Sequence, residues 1–218
     1  VQPKDTYVKL AEKIASLMPS VGYDKQRFGW YDVVERVLEP GQKFHRYAWH
    51  DRKAWWQQEQ GILAYLILQG HIPSNEAYKK YADESAAFYN AFFLDHNDGG
   101  VYFNVLANGV PYLMGTERFK GSHSMSAYHS TELCFLATVY SDLMIQKRPL
   151  DLFFKPMPHG FKDRILRVSP DMLPKGSVRI TACTIDGAPY SNFNADGLYV
   201  ELPDSAQRLN VKVTLTPN

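Results

Sequence analysis

The 218-residue chain has only two cysteines, Cys134 and Cys183, with no C-x-x-C pair and no histidines clustered beside them. That leaves nothing from which to build a zinc site or a disulfide framework, so no metal and a reducing, cytoplasmic setting are the expectation. No apolar run approaches the roughly 18 to 20 residues that a membrane helix needs, and the opening VQPKDTYVKL lacks the apolar stretch of a signal peptide. The chain therefore reads as soluble, with no membrane partner. Charge of one sign is missing too: 24 Lys plus Arg face 23 Asp plus Glu, for a net +1 with no basic block. This argues against a nucleic-acid partner, whose phosphates would call for a cationic face. G-x-S-x-G, Walker and Gly-rich dinucleotide motifs are likewise absent.

What the chain does have is aromatic residues, 14% of the total, with Trp 4, Tyr 14 and Phe 12. Aromatics line sugar and ring-binding clefts, and they also simply pack. The pattern changes near residue 150. Before it, apolar residues recur at helical spacing; after it, they alternate in short runs between turn residues. Two domains follow, 1–149 and 150–218, for an α+β multi-domain class.

The clearest helix spans about 50–70, carrying Trp55, Trp56, Ile62, Leu63, Leu66 and Ile67 and stopping at Gly70. A second follows Pro73 and Ser74 with Asn75 as its cap and a small and aromatic stripe from Tyr78 to Phe93. Helices are also expected over 7–18 and 126–145, with a weaker one within 30–38. Between them, Asp98-Gly99-Gly100, the alternation of Val101, Phe103 and Val105, and the turn-forming Asn108-Gly109 predict an inserted β-hairpin. Beyond Leu150 the runs ILRV, VRITACTI, LYVEL and LNVKVTL predict five or six strands of an antiparallel sandwich. Its turns fall at Ile185-Asp186-Gly187 and Ala195-Asp196-Gly197.

Two stretches carry candidate chemistry. In HDRKAWWQQEQGILAYLI, Gln57, Gln58, Glu59 and Gln60 interrupt an apolar helix directly after two tryptophans. Trp55 and Glu59 share one helical face and Trp56 and Gln60 the adjacent one, so amides and a carboxylate stand over an indole wall, an arrangement suited to polyhydroxylated ligands. The alternative is a solvated polar turn with the tryptophans in the core. In FKGSHSMSAYHSTEL, Lys120, His123, Tyr128, His129 and Glu132 crowd the start of a helix. His129 and Glu132, three apart, share a face, which makes His129 a candidate general base near neutral pH or, alternatively, a hydrogen-bonded structural histidine.

Together these segments resemble the N-acylglucosamine 2-epimerase family, which includes cellobiose 2-epimerases and aldose-ketose isomerases. Lys53-Ala54-Trp55-Trp56 with its helix is similar to the family's K-x-W-W-x-x-x-E stretch, and DGGVYFNVLANGVP, Lys120 and Tyr128-His129 are similar to its strand pair, lysine and Y/F-H element. The similarity runs over roughly 7–140 and concerns the closing part of the family's domain. It implies part of an (α/α)6 toroid, proton transfer through an enediolate at the carbon beside a sugar carbonyl, a mono- or disaccharide substrate and no cofactor. His129 and Glu59 become the catalytic candidates, and Trp55, Trp56, Gln60, Lys120, Tyr128 and Glu132 the substrate-binding ones. Gln60 stands where the family has Glu, and Glu132 where it has Arg.

The family's earlier His and Glu motif has no counterpart before Lys53, and four or five helices do not close a twelve-helix ring. The expected partners are therefore a missing N-terminal segment or second chain completing the toroid, with a homodimer also possible. Two other functions fit the same residues: a non-catalytic carbohydrate-binding protein, and a glycoside hydrolase using Glu59 and Glu132 as its carboxylate pair.

Overall fold

The computed structural model describes residues 5–114, 120, 125, 127–170 and 172–218. The chain divides into two compact units, Pro3–Ala137 and a second made chiefly of Thr138–Asn218. The division falls twelve residues ahead of 150, where the alternating pattern begins. The segment Tyr140–Ile145, a π-helical turn, belongs to the second unit: Tyr140, Leu143 and Met144 are buried and the Tyr140 hydroxyl donates to the Met172 carbonyl.

The first unit is helical. Helix α1 (Asp5–Val21) is followed by an irregular stretch, strand β1 (Arg52–Ala54), α2 (Trp55–His71), α3 (Glu76–Phe88), strand β2 (Asn104–Leu106) and α4 (Ala127–Val139). Asn75 caps α3 through its side chain, which accepts from the Ala77 N–H, as its position predicts, and the helix runs on as a π turn over Tyr89–Phe93. No helix forms within 30–38; that stretch instead makes isolated bridges, Val34 with Tyr47 among them. Among the described residues no helix is long and apolar enough to cross a membrane.

One further expectation is corrected: residues 52–54, expected inside a helix, are a strand, which pairs with the first arm of the expected hairpin. The register is antiparallel: Arg52 faces Leu106, Lys53 faces Val105 and Ala54 faces Asn104. The expected hairpin closes around Asn108-Gly109 through the Gly109 N–H to Leu106, the Leu106 N–H to Val110, the Tyr112 N–H to Asn104 and a Val105 to Pro111 bridge. The pairing also begins α2. Ala54 offers no capping side chain, but the Trp55 N–H donates to the Phe103 carbonyl at 3.0 Å and Gln58 Nε2 donates to the Ala54 carbonyl.

Behind α2 lies an aromatic core. Trp30 stacks on Tyr65 with ring centroids 5.4 Å apart, and its Nε1 donates to Ser85 on α3. Trp30 crosses α2 at Gly61, where any Cβ would collide with the indole, so the glycine inside the helix buys this close approach. Gln58 is fully buried yet saturated, accepting from the Trp30 N–H and donating to the Trp30 and Ala54 carbonyls.

The most demanding element is Lys53, 0% exposed, whose Nζ donates to Asp24 Oδ2 at 2.8 Å and to the Phe28 carbonyl, over the face of Phe88 at 3.8 Å. Burial works to raise the Asp24 carboxyl, but Lys53 and the Gln26 and Arg27 N–H groups outweigh it and hold Asp24 below the usual carboxylate range.

The second unit contains two antiparallel sheets. One has the order β3-β9-β5-β6, from Leu150–Phe154, Val211–Pro217, Val178–Ile185 and Ala188–Pro189. The other has β4-β8-β7, from Ile165–Arg167, Tyr199–Glu201 and Phe193–Asn194. Alternation along β9 buries Val211, Val213 and Leu215, with Ile180 and Val178 from β5 and Leu166 and Val200 from the smaller sheet. The β5-β6 hairpin turns on Asp186-Gly187, both at positive φ (48° and 84°), the two-residue turn that suits strand twist.

All four tryptophans lie in the helical unit, so their fluorescence reports on it alone. Lys53→Met should cost that unit about 3 to 5 kcal/mol in urea unfolding, because Asp24 is left buried and unpaired. Lys53→Met with Asp24→Leu should recover most of the loss; a double variant no more stable than the single one would show that the pair is not what holds this region.

Candidate functional site

Strand β1 and the start of α2 set up an open cleft of about 470 Å³ lined by Asp32, Trp49, Arg52, Ala54, Trp55, Trp56, Phe103, Asn104 and His129. Alternation on β1 turns Arg52 to the cleft while Lys53 enters the core. The Arg52 Nε donates to Asp32 Oδ2 at 2.7 Å, and its guanidinium lies over Trp49 at 4.8 Å and Tyr112 at 5.6 Å. Trp55 is buried against Phe103, centroids 4.3 Å apart, whereas Trp56 is 39% exposed and free to present a ring face.

His129, from the first turn of α4, stands beside the two tryptophans, with ring centroids 6.1 Å from each. Beside it, Gln60 Nε2 donates to Glu132 Oε2 at 2.9 Å and lies 3.4 Å from His129 Nδ1, while Glu132 Oε2 is 4.0 Å from the same nitrogen. One amide with two N–H groups thus lies against both a carboxylate and an imidazole nitrogen. Tyr128 is exposed, with its hydroxyl 3.4 Å from Glu132 Oε1.

Glu59 is placed differently from its neighbours. Its carboxylate is fully enclosed, and Oε1 accepts from the Tyr89 hydroxyl at 2.6 Å and from Ser130 Oγ at 2.7 Å, while Oε2 is buried with no partner. Burial raises its pKa, partly countered by Tyr89, Ser130 and His129. Glu59 is therefore enclosed rather than cleft-lining, bonded to Ser130, the residue that follows His129, and within electrostatic reach of His129. Neither Glu59 nor Glu132 lines the cleft, so the carboxylate pair of a glycoside hydrolase is not assembled there.

Lys120 is also apart from the cleft. Its Nζ donates to Asp95 Oδ2 at 2.8 Å and to the Gly99 carbonyl, so it staples the turn before β2, where Asp95 also accepts from the Asn97 and Asp98 N–H groups and from Tyr102. Lys120, foremost, and these N–H groups hold Asp95 well below the usual carboxylate range. His123 lies outside the described residues. Among the described residues no group of three or more His, Cys, Asp or Glu side chains is arranged to hold a metal ion.

The sequence pattern left out Asp32, Trp49, Arg52 and Asn104. Arg52 adjoins the Lys53-Ala54-Trp55-Trp56 stretch, and reading that stretch with a period of two would have found it. Asn104 carries no such local signal, since it reaches the cleft only by pairing with Ala54, fifty positions earlier.

No family model matches the sequence, and no curated protein matches it. Solved structures do resemble it. A D-mannose isomerase matches at TM-score 0.51 and 19% identity over 63% of this chain and 32% of that one. A sugar epimerase from a ruminal bacterium matches at 0.49 and 14% (62% and 31% covered), and cellobiose 2-epimerase from Bacillus thermoamylovorans at 0.43 and 17% (62% and 30%). At this identity the first match shows a shared fold, and this chain spans about a third of that protein's length.

The raised pKa of Glu59 gives a signed expectation. A carboxyl that holds its proton more tightly when folded adds stability below its unfolded pKa and loses it as pH rises through the folded value. Glu59→Gln should therefore be more stable than the parent at about pH 8, with the advantage gone near pH 4, in urea titrations followed by tryptophan fluorescence. An advantage equal at both pH values would show that Glu59 does not titrate abnormally.

Proposed function

We propose that the chain is part of a sugar epimerase or aldose-ketose isomerase in which His129 moves the proton on the carbon next to the sugar carbonyl. The observation that carries this reading is an imidazole beside two tryptophans in a cleft, with Nδ1 against the Gln60 amide that Glu132 in turn holds, on a fold shared with a D-mannose isomerase. The opened sugar presents a weakly acidic C2–H; a base takes that proton, the electron pair moves into the carbonyl to give an enediolate, and reprotonation on either face of C2 or at C1 gives epimer or ketose. His129 is the acid/base, Trp56 stacks on the sugar's CH face and Trp55 walls the cleft. Gln60 and Glu132 fix the imidazole, and Glu59 acts as a positioning residue through Ser130.

The helical unit, on this reading, is the closing arc of an (α/α)6 toroid of the N-acylglucosamine 2-epimerase kind, and the two sheets form an appended β-sandwich in a cytoplasmic enzyme. The other half of the ring is contributed by a further helical segment, from the same or a second chain. An apolar groove of about 710 Å³ between α1 and α2 supports this: Ile14, Ala15, Met18, Ala64 and Leu68 line it, while Tyr7, Leu10, Ile14 and Leu17 leave a helical stripe of α1 exposed.

In deuterium oxide, the intact assembly containing this chain should exchange the C2 proton of D-mannose with solvent, and His129→Ala should slow that exchange about 100-fold or more. Undiminished exchange removes His129 from the mechanism, and sugar binding without exchange in the parent protein makes the chain a binding module. Native mass spectrometry tests the ring: the chain should travel with a partner or self-associate, and a stable, monodisperse monomer would count against an open arc.

A further inference from the structure

The floor of the cleft holds polar atoms with nothing to bond. Asn104 is 1% exposed, and neither its Oδ1 nor its Nδ2 has a hydrogen-bond partner. Trp55 Nε1 is buried and equally unpaired. The two residues are neighbours by construction, because Ala54 faces Asn104 across the β1-β2 ladder and Trp55 follows Ala54. Both line the cleft that also contains His129. Asn104 is fixed from behind: its own carbonyl accepts from the Tyr112 N–H at 2.9 Å, and its strand is in register with β1.

A buried amide that makes none of its bonds is costly, and native structures pair such groups almost without exception. Within Pro3–Ala137, Gln58 and Ser85 show how this is met, Gln58 using both ends of its amide and Ser85 accepting from Trp30, while Glu59 leaves one oxygen unpaired but bonds through the other. The unmet set at Asn104 and Trp55 consists of one acceptor, Oδ1, and donors on Nδ2 and Nε1. An anion alone would leave Oδ1 facing negative charge, and a cation would leave the donors unused. A neutral polyol supplies both polarities from adjacent carbons, with a hydroxyl proton for Oδ1 and oxygen lone pairs for the two N–H groups. Arg52 does not alter this balance, since its charge is met by Asp32 at 2.7 Å.

Resting on the sugar-processing reading above, we propose that Asn104, with Trp55 Nε1, is the specificity-determining contact of this cleft, hydrogen bonding adjacent oxygens of a neutral reducing monosaccharide and selecting for one particular hydroxyl. The ligand side of the contact is a hydroxyl that donates to Asn104 Oδ1, next to an oxygen that accepts from Nδ2 and Nε1. A site built this way rejects an analogue lacking the hydroxyl, because the analogue leaves the buried amide unpaired.

The test uses the intact assembly containing this chain, with D-mannose and its 2-, 3-, 4- and 6-deoxy analogues as probes, and dissociation constants measured by ligand-observed NMR titration. The parent protein should lose about tenfold or more in affinity for one deoxy sugar relative to D-mannose. In Asn104→Leu and Asn104→Ala, D-mannose should bind about tenfold or more weakly, and removal of that same hydroxyl should cost nothing further. A second readout is independent of ligand: without sugar, Asn104→Leu should melt at or above the parent's temperature, since an unpaired amide gives way to carbon of similar size. A variant that binds D-mannose and all four analogues as the parent does overturns the assignment of Asn104 and leaves the sugar reading standing. A parent assembly that binds neither D-mannose nor its analogues, while Asn104→Leu still melts at or above it, removes the sugar reading and this contact with it. Marked destabilisation by Asn104→Leu overturns the premise that the amide is unpaired.

Discussion

The ion pair between Lys53 and Asp24 is the constraint on which the cleft depends. A lysine ammonium taken fully out of water is tolerable only with a partner in good geometry, and here Asp24 Oδ2 at 2.8 Å, the Phe28 carbonyl and the face of Phe88 surround it. Because side chains alternate on a strand, fixing Lys53 inward fixes Arg52 outward and sets the phase in which Trp55 enters α2. A one-residue slip between β1 and β2 would drive Arg52 into the core and carry Lys53 into the cleft, at the cost of both Asp24 and Asp32 as partners. The register that brings Asn104 opposite Ala54 is held by this pair as much as by the three-residue ladder itself.

Buried polar groups in the helical unit fall into two kinds, and their locations differ. Those behind α2 are fully bonded: Gln58 grips the Trp30 backbone, Tyr65 donates to the Ala15 carbonyl, and Ser85 accepts the Trp30 indole N–H. Those without partners belong, among the described residues of this unit, to Trp55, Gln57, Glu59 and Asn104. Of these, Trp55 and Asn104 line the cleft, Gln57 lines the groove between α1 and α2, and Glu59 lines neither. The two that face the cleft leave polar atoms unpaired where the helix packing behind α2 does not, which is the pattern of a site shaped for something other than packing.

Features fixed by near neighbours in the chain were legible in the sequence. Asn75 caps α3 with its own side chain, Asp186-Gly187 turns a two-residue hairpin, and β9 alternates buried and half-buried residues as its sequence does. Trp55, Trp56, Gln60, His129 and Glu132 were each singled out in the sequence, and the structure brings them together. What was not legible depends on distant partners. The strand 52–54 looks helical in isolation and is recruited by 104–106; Lys120 reads as a free cation until Asp95, twenty-five positions away, claims it. Gln58 and Glu59 looked like one polar turn on a helix surface, yet both are enclosed, because the loop carrying Trp30 and the start of α4 close over the two faces they occupy.

Gln60 and Glu132 gain meaning from their contact. Each departs from the pattern that the sequence resembles, Gln for Glu and Glu for Arg, and taken separately each looks like a lost charge beside His129. In the structure they are bonded to each other, Gln60 Nε2 donating to Glu132 Oε2 at 2.9 Å, so the two departures meet in one contact. A carboxylate at 60 facing Glu132 would place two like charges in contact, which Gln60 avoids while keeping its amide against Nδ1.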